Sequence, residues 1–173
     1  VNNLLANWDM PFPLKRVITY TTRAPRPGES EGKDYHYIGA DEFRLKREQG
    51  FFQETAEFCG NWYGSPAYIF DPLYRKETSY IFVIDRQGAH AIKNMPGVVL
   101  VWITPPNFEE LRARLYKRDT DSVETIEQRL KKAHQELEQE QQEKMYQHEV
   151  VNGDFNEALS KLKSLLVAEI QKF

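Results

Sequence analysis

Two nearly continuous apolar runs, residues 80–84 and 98–103, constrain this chain more than any other feature of its sequence. A strand with one wet face alternates polar and apolar residues. A strand covered on both faces does not, so each run reads as a buried strand of a parallel sheet. A helical pattern follows each run and supplies the covering layer, which makes the expected fold class α/β. At 173 residues the chain is of single-domain size, and one folding unit is expected over 1–173.

The remaining signals agree with that architecture. Val1, Leu4, Leu5 and Trp8 have the spacing of one helical face and read as the tail of a helix. Two prolines in 9–13 break it, and the β-branched and aromatic stretch 16–22 reads as a strand. A short strand is expected at 34–38, then a helix capped by Asp41, carrying Phe43 and Leu45 and stopped by Gly50. Residues 51–63 read as a hairpin turning at Gly60 and Asn61. Asn107 with Glu110, Asp121 with Glu124 and Asp154 with Glu157 have the spacing of capping boxes, each opening an amphipathic helix. The polar segment 138–144 is expected to be solvated, and Val150 with Val151 to form a last strand.

Composition removes several classes of function. Acidic residues number 26 and basic residues 23, a formal charge of -3, which gives no support to DNA or another polyanion as a partner. Cys59 is the single cysteine, so no internal disulfide and no multi-cysteine zinc site is expected, and a reducing compartment fits. No apolar run approaches the length of a membrane span, the N-terminus lacks signal-peptide order, and the expected location is cytoplasmic. The four histidines, His36, His90, His134 and His148, have no metal-ligand spacing, and no metal site is assigned to protein side chains.

The chemically informative stretch is Thr19-Tyr20-Thr21-Thr22-Arg23-Ala24-Pro25-Arg26-Pro27-Gly28-Glu29, followed by Gly32-Lys33-Asp34-Tyr35. Arg23 and Arg26 on a proline-stiffened loop can present forked donors to a phosphate with little loss of conformational entropy. By itself an Arg-x-x-Arg loop is as well read as a solvated basic surface. The neighbouring threonines and Tyr35 turn the reading toward an anion clamp.

This segment resembles the GMP-phosphate-binding segment of the guanylate kinase family. Further motifs follow in family order: Phe51-Phe52-Gln53-Glu54, Gly60-Asn61-Trp62-Tyr63-Gly64-Ser65, Asp85-Arg86-Gln87-Gly88, Pro105-Pro106, Arg114 with Arg118, Arg129-Leu130 and Val151-Asn152. The resemblance implies a P-loop-kinase-like parallel sheet flanked by helices, with a small mixed β GMP-binding lobe and a helical lid. Core residues would be 1–19, 79–113 and 145–173, the lobe about 20–78 and the lid about 114–144.

Carried over by position, the resemblance puts the GMP phosphate on Arg23, Arg26, Tyr35 and Tyr63, with Thr19 nearby. Glu54 and Ser65 would read guanine, since a carboxylate accepts from N1–H and the 2-amino group while a hydroxyl donates to O6. Asp85 would bind the guanine end, although by position alone it is equally a helix N-cap. Arg114, Arg118 and Arg129 would close over the phosphates as catalytic cations; on helices alone they read as solvated side chains. Arg118 and Asn152 would contact ATP, and Asn152 is also an ordinary turn residue before Gly153.

The implied reaction is ATP plus GMP or dGMP giving ADP plus GDP or dGDP, with Mg²⁺ on the ATP phosphates, and the chain acting as a monomer or homodimer. Two departures accompany the match. No Gly-x-x-x-x-Gly-Lys-Ser/Thr loop is present, and residues 1–5 resemble the helix that follows it, so the P-loop is expected upstream of Val1. Val83 stands where many relatives carry an acid. The alternative is a catalytically inactive guanylate-kinase-like scaffold that binds protein ligands; the retained Asp85 segment and the three arginines favour the enzyme.

Overall fold

The computed structural model describes residues 1–71, 77–117 and 121–172, which divide between two compact units, Val1–Ile92 and Lys93–Phe173. In the first unit, helix α1 (Asn2–Ala6) buries Leu4 and is followed by β1 (Leu14–Arg16). The proline-rich break between them is the expected one. Strand β1 pairs in parallel with β6 (Ser79–Ile81), Leu14 facing Ser79 and Arg16 facing Ile81. The parallel neighbour is as expected, but the run 80–84 is strand only as far as Ile81 and none of its residues is buried, Val83 being 49% exposed, so it is not the strand covered on both faces that its apolar continuity suggests.

The single strand expected at 16–22 is two strands in two sheets. β1 ends at Arg16, the Val17 amide donates to the Ile81 carbonyl, and β2 (Tyr20–Thr21) joins a second sheet. That second sheet has the order β3-β2-β5-β4, with β3 at His36–Tyr37, β4 at Phe52–Phe58 and β5 at Asn61–Pro66. β-propensity is continuous across the segment but says nothing about which partner each half will find.

Helix α2 (Ala40–Glu48) carries Phe43, only 1% exposed, against the second sheet. The Phe43 ring stacks on Phe52 at 4.6 Å and lies 6.1 Å from Trp62. Gly39, not Asp41, is the N-cap; Asp41 and Glu42 sit inside the first turn, where negative charge suits the helix dipole. A 3₁₀ turn (Ala67–Phe70) follows β5, and helix α3 (Arg86–Ile92) completes the unit, burying Gly88, Ala89 and Ile92.

In the second unit, β7 (Val101–Thr104) pairs in parallel with β8 (His148–Val151). The Asn107 carboxamide accepts from the Glu110 amide at 2.8 Å and opens α4 (Phe108–Lys117). The next helix, α5 (Val123–Gln142), is capped by Ser122 rather than Asp121, whose carboxylate instead lies 3.3 Å from Arg129 Nε. Leu115, Ile126 and Leu130 form a core between these helices, flanked by Phe108 and Leu111. The polar segment expected to be solvated contains a buried carboxylate: Glu140, 8% exposed, accepts from the amides of Met145 and Tyr146 at 2.8 and 3.1 Å. It caps the chain as it leaves α5. Helix α6 (Phe155–Ile170) begins as expected, with Asp154 accepting from the amides of Asn156 and Glu157.

The β4–β5 hairpin turns one residue earlier than its sequence suggests. Phe58 faces Asn61, leaving Cys59 and Gly60 as a two-residue turn with φ of 50° and 73°. A two-residue turn with both φ positive suits Asn at its first position and penalises most other L-residues by about 1–2 kcal/mol. Cys59→Asn is expected to stabilise the chain by about 0.5–1 kcal/mol, seen as a higher denaturant midpoint at unchanged slope. A lower midpoint would mean that packing of the thiol outweighs the backbone gain.

Candidate functional site

The candidate residues of the first unit fall into two local groups, both in contact with the second sheet. One is built around Arg23. One terminal nitrogen, Nη2, donates to both carboxylate oxygens of Glu29 at 2.9 Å, and Nη1 donates to the Ala24 carbonyl at 2.7 Å. The guanidinium lies 5.5 Å from the centre of the Tyr35 ring, a cation–π arrangement, and Tyr35 lies edge-on to Tyr63 at 6.0 Å. Thr21, fully buried, accepts from the Arg23 amide through its hydroxyl, which anchors the loop to β2. Thr19 is buried below it, and its carbonyl accepts from the His36 amide.

The phenols are held as donors. Burial raises the pKa of Tyr35, and the Tyr63 hydroxyl adds to the effect. Tyr37 is pushed up to about 12 by burial together with the hydrogen bond it donates to Glu29. A forked cation flanked by neutral phenols on a stiff loop is suited to a phosphate group. Arg26 reaches the same cluster through its backbone, its amide donating to Glu29 Oε2 at 2.8 Å.

The other group centres on a buried carboxylate. Glu54 faces Ser65 across the β4–β5 ladder, and the Ser65 hydroxyl donates to Glu54 Oε1 at 2.5 Å. Ser65 is 0% and Glu54 6% exposed. Burial raises the Glu54 pKa and the charge of Asp85 raises it further, while the Ser65 hydrogen bond pulls the other way. Asp85 also caps α3, its Oδ1 accepting from the Gly88 amide at 3.0 Å. Asp85 is thus the helix N-cap that its position suggests, and its charge is felt at Glu54.

Ser65 and Tyr63 are two apart on β5, so they share a face and sit about 7 Å apart along the strand. One strand therefore spans the carboxylate end and the phenol end. An object that fills both ends carries an anion at one side and hydrogen-bond donors plus an acceptor at the other.

The remaining predicted residues lie in the second unit. Arg114 donates through Nε to Glu110 at 2.8 Å, through Nη1 to the Asn152 carbonyl at 2.7 Å and through Nη2 to the Gly153 carbonyl at 3.2 Å. It brings α4 and the loop after β8 together, so Arg114 and Asn152 form one local group. Arg129 pairs with Asp121. Arg118 lies outside the described residues.

Two contributors escaped assignment from the sequence. Glu29 stood within the arginine loop but no spacing rule marks a carboxylate as the partner of a cation six residues back. Gly88 stood in the motif after Asp85, and its role is one of space: a β-carbon there would lie 2.8 Å from Glu54 Oε2. Among the described residues no group of three or more His, Cys, Asp or Glu side chains could hold a metal ion.

Comparison with known proteins finds relatives over most of the chain. A family profile described as guanylate kinase matches residues 1–169. A guanylate kinase of Myxococcus xanthus is 44% identical over 153 residues, covering 88% of this chain and 72% of that protein. One of Desulfitobacterium hafniense is 40% identical over 157 residues, covering 90% of this chain and 77% of the relative. The crystal structure of guanylate kinase from Anaplasma phagocytophilum matches with a TM-score of 0.75 at 33% identity, over 97% of this chain and 79% of that one.

Gly88 lies in a helix, where alanine is intrinsically favoured by about 1 kcal/mol. Gly88→Ala is nevertheless expected to destabilise the chain by about 1–3 kcal/mol, because the new methyl group would crowd the buried Glu54 carboxylate. Thermal unfolding checks this, and an unchanged or raised midpoint would refute the close approach.

Proposed function

The chain belongs to the guanylate kinase family, and we infer from that premise that it transfers the γ-phosphoryl group of ATP to GMP, giving ADP and GDP. The observation that carries the substrate assignment is the Glu54–Ser65 pair, a buried carboxylate beside a buried hydroxyl whose single proton, given to Glu54 in the free chain, would turn to guanine O6 as the guanine donors take its place on the carboxylate. Guanine offers two adjacent donors and one acceptor, which match a carboxylate and a hydroxyl; adenine would leave them mispaired. A site that hydrogen-bonds its substrate rejects an analogue lacking those groups by up to about 10⁴–10⁵-fold.

In this reading Glu54, Ser65 and Asp85 orient the base, while Arg23, Arg26, Tyr35 and Tyr63 hold the 5′-phosphate, with Thr19 beneath them. An oxygen of that phosphate attacks the γ-phosphorus in line. The nucleophile is already an anion, so no dedicated base is needed, and catalysis consists of positioning and charge neutralisation. The proposed role of Arg114, Arg118 and Arg129 is to neutralise the transferring group, and that of Asn152 is to contact adenine. Arg114 is fixed by two backbone carbonyls beside Asn152, which supports a preorganised cation there. We read residues 20–78 as the GMP lobe and 114–144 as the lid of one domain.

Mg²⁺ would supply further neutralisation of the ATP phosphates. In this reading it arrives with ATP, as part of the donor substrate. Among the described residues no helix is long and apolar enough to cross a membrane. Our reading is of a cytoplasmic enzyme whose partners are nucleotides.

A coupled assay of ADP release on the full-length chain with ATP and Mg²⁺ is expected to show turnover with GMP and little with AMP, CMP or UMP. GMP binding without turnover would move the reading to the catalytically inactive scaffold that binds protein ligands. Glu54→Gln presents a donor to the guanine donors and is expected to weaken GMP by about tenfold or more with ATP unchanged; equal losses in parallel titrations would sink the guanine assignment.

The raised Glu54 pKa also sets a pH dependence. A carboxyl that holds its proton more tightly when folded adds stability below its unfolded pKa, and that contribution is lost as pH rises through the folded pKa. Guanine donors need the charged form, so GMP affinity should fall as pH drops through this raised pKa, at higher pH than an ordinary carboxylate would dictate. The dependence should vanish in Glu54→Gln; its persistence would assign it to another group.

A further inference from the structure

We propose that Glu29 is the positioning residue of the phosphate clamp, fixing Arg23 so that its guanidinium is already oriented when the GMP phosphate arrives. The inference rests on the GMP reading above. Glu29 Oε1 accepts from Arg23 Nη2 at 2.9 Å; Oε2 accepts from Arg23 Nη2 at 2.9 Å, the Arg26 amide at 2.8 Å and the Tyr37 hydroxyl at 2.9 Å. One side chain thereby ties the first arginine, the backbone of the second and strand β3 into a unit.

The local chain is built to bring it there. The Glu29 amide donates to the Arg26 carbonyl at 3.0 Å, closing a four-residue turn with Pro27 and Gly28 at its centre. Gly28 has φ of 86°, the conformation required at the third position of a type II turn, and proline suits the second. That turn folds the Glu29 side chain back onto Arg23, where both are largely buried, 21% and 13% exposed.

A carboxylate near a phosphate site is unfavourable unless its charge is occupied by cations. Here burial works against ionisation, but the Arg26 amide, the Tyr37 hydroxyl and Arg23 together hold the Glu29 pKa below the usual carboxylate range. It is therefore an acceptor-only anion at neutral pH, and its charge is spent on donors of the clamp. The long arginine side chain, which otherwise loses rotamer entropy on binding, is thereby ordered beforehand. Neither Glu29 nor Tyr37 touches the guanine end, where Glu54 and Ser65 act, so the effect should be confined to the phosphate.

The test compares GMP with guanosine, which lacks the phosphate, by titration of the full-length chain and its Glu29→Gln variant, alongside steady-state kinetics. Glutamine keeps the shape and an acceptor but not the charge that holds Arg23. The expected result is a rise of about tenfold or more in the Kd and KM for GMP, with guanosine affinity and the KM for ATP unmoved. Parallel loss of guanosine affinity would make Glu29 merely structural, unchanged GMP binding would show that its charge does not order the clamp, and tighter binding that it opposes the phosphate; each overturns the inference.

Tyr37→Phe, which removes one donor and leaves the carboxylate, should give a smaller loss, about threefold, again confined to GMP, and no GMP-selective loss would count against the proposal even if Glu29→Gln failed to fold. Should the unaltered chain bind GMP no better than guanosine, the failure lies in the phosphate-clamp reading itself.

Discussion

The register between β4 and β5 is the constraint on which the site depends. Glu54 faces Ser65 and Ala56 faces Tyr63, and because strand side chains alternate with a period of two, a slip by one residue would turn Glu54 to the opposite face. Three features oppose such a slip: the two-residue turn at Cys59 and Gly60, the irregularity between Phe52 and Glu54, and the aromatic packing of Phe43 on Phe52. Gly64 contributes from the other strand, since a β-carbon there would lie 2.8 Å from the Phe52 ring. The hairpin is held in one register by packing on one face, and the site on the same ladder inherits that precision.

Charge burial links this packing to chemistry. Removing a carboxylate from water is costly unless it is hydrogen-bonded. Glu54 meets that condition through Ser65, and the space left by Gly88 lets it lie against α3 near Asp85. A dry carboxylate reads hydrogen-bond donors more sharply than a wet one, because mispaired groups cannot be rescued by solvent. Under the proposed function, base discrimination would draw on the same burial that stabilises the hairpin.

At the other end, order comes from a network of ion pairs and hydrogen bonds instead of apolar packing. Arg23 is held by Glu29, Ala24 and the Tyr35 ring; Arg114, in the second unit, is held by Glu110 and two carbonyls. In both cases a cation is oriented before any substrate is bound, which suits a reaction governed by electrostatic preorganisation.

Much of this was legible in the sequence. Apolar runs marked where two parallel strands lie but not their burial, since Val83 and Ile103 are exposed; side-chain caps at Asn107 and Asp154 marked two helix starts, and the motifs named Arg23, Tyr35, Glu54, Tyr63 and Ser65. These are local signals, set by periodicity and by the chemistry of neighbouring residues. What the sequence did not disclose depended on partners distant in the chain. Tertiary pairing divided the segment 16–22 between two sheets, chose Ser122 over Asp121 as a cap once Asp121 met Arg129, and buried Glu140 against the backbone after α5. It also gave Glu29 its place under the arginine clamp and Gly88 its place beside Glu54. Residue types and spacing determine which local structures and chemistries are available; only the folded chain decides which donor meets which acceptor, because that choice turns on distances between segments that local physics leaves open.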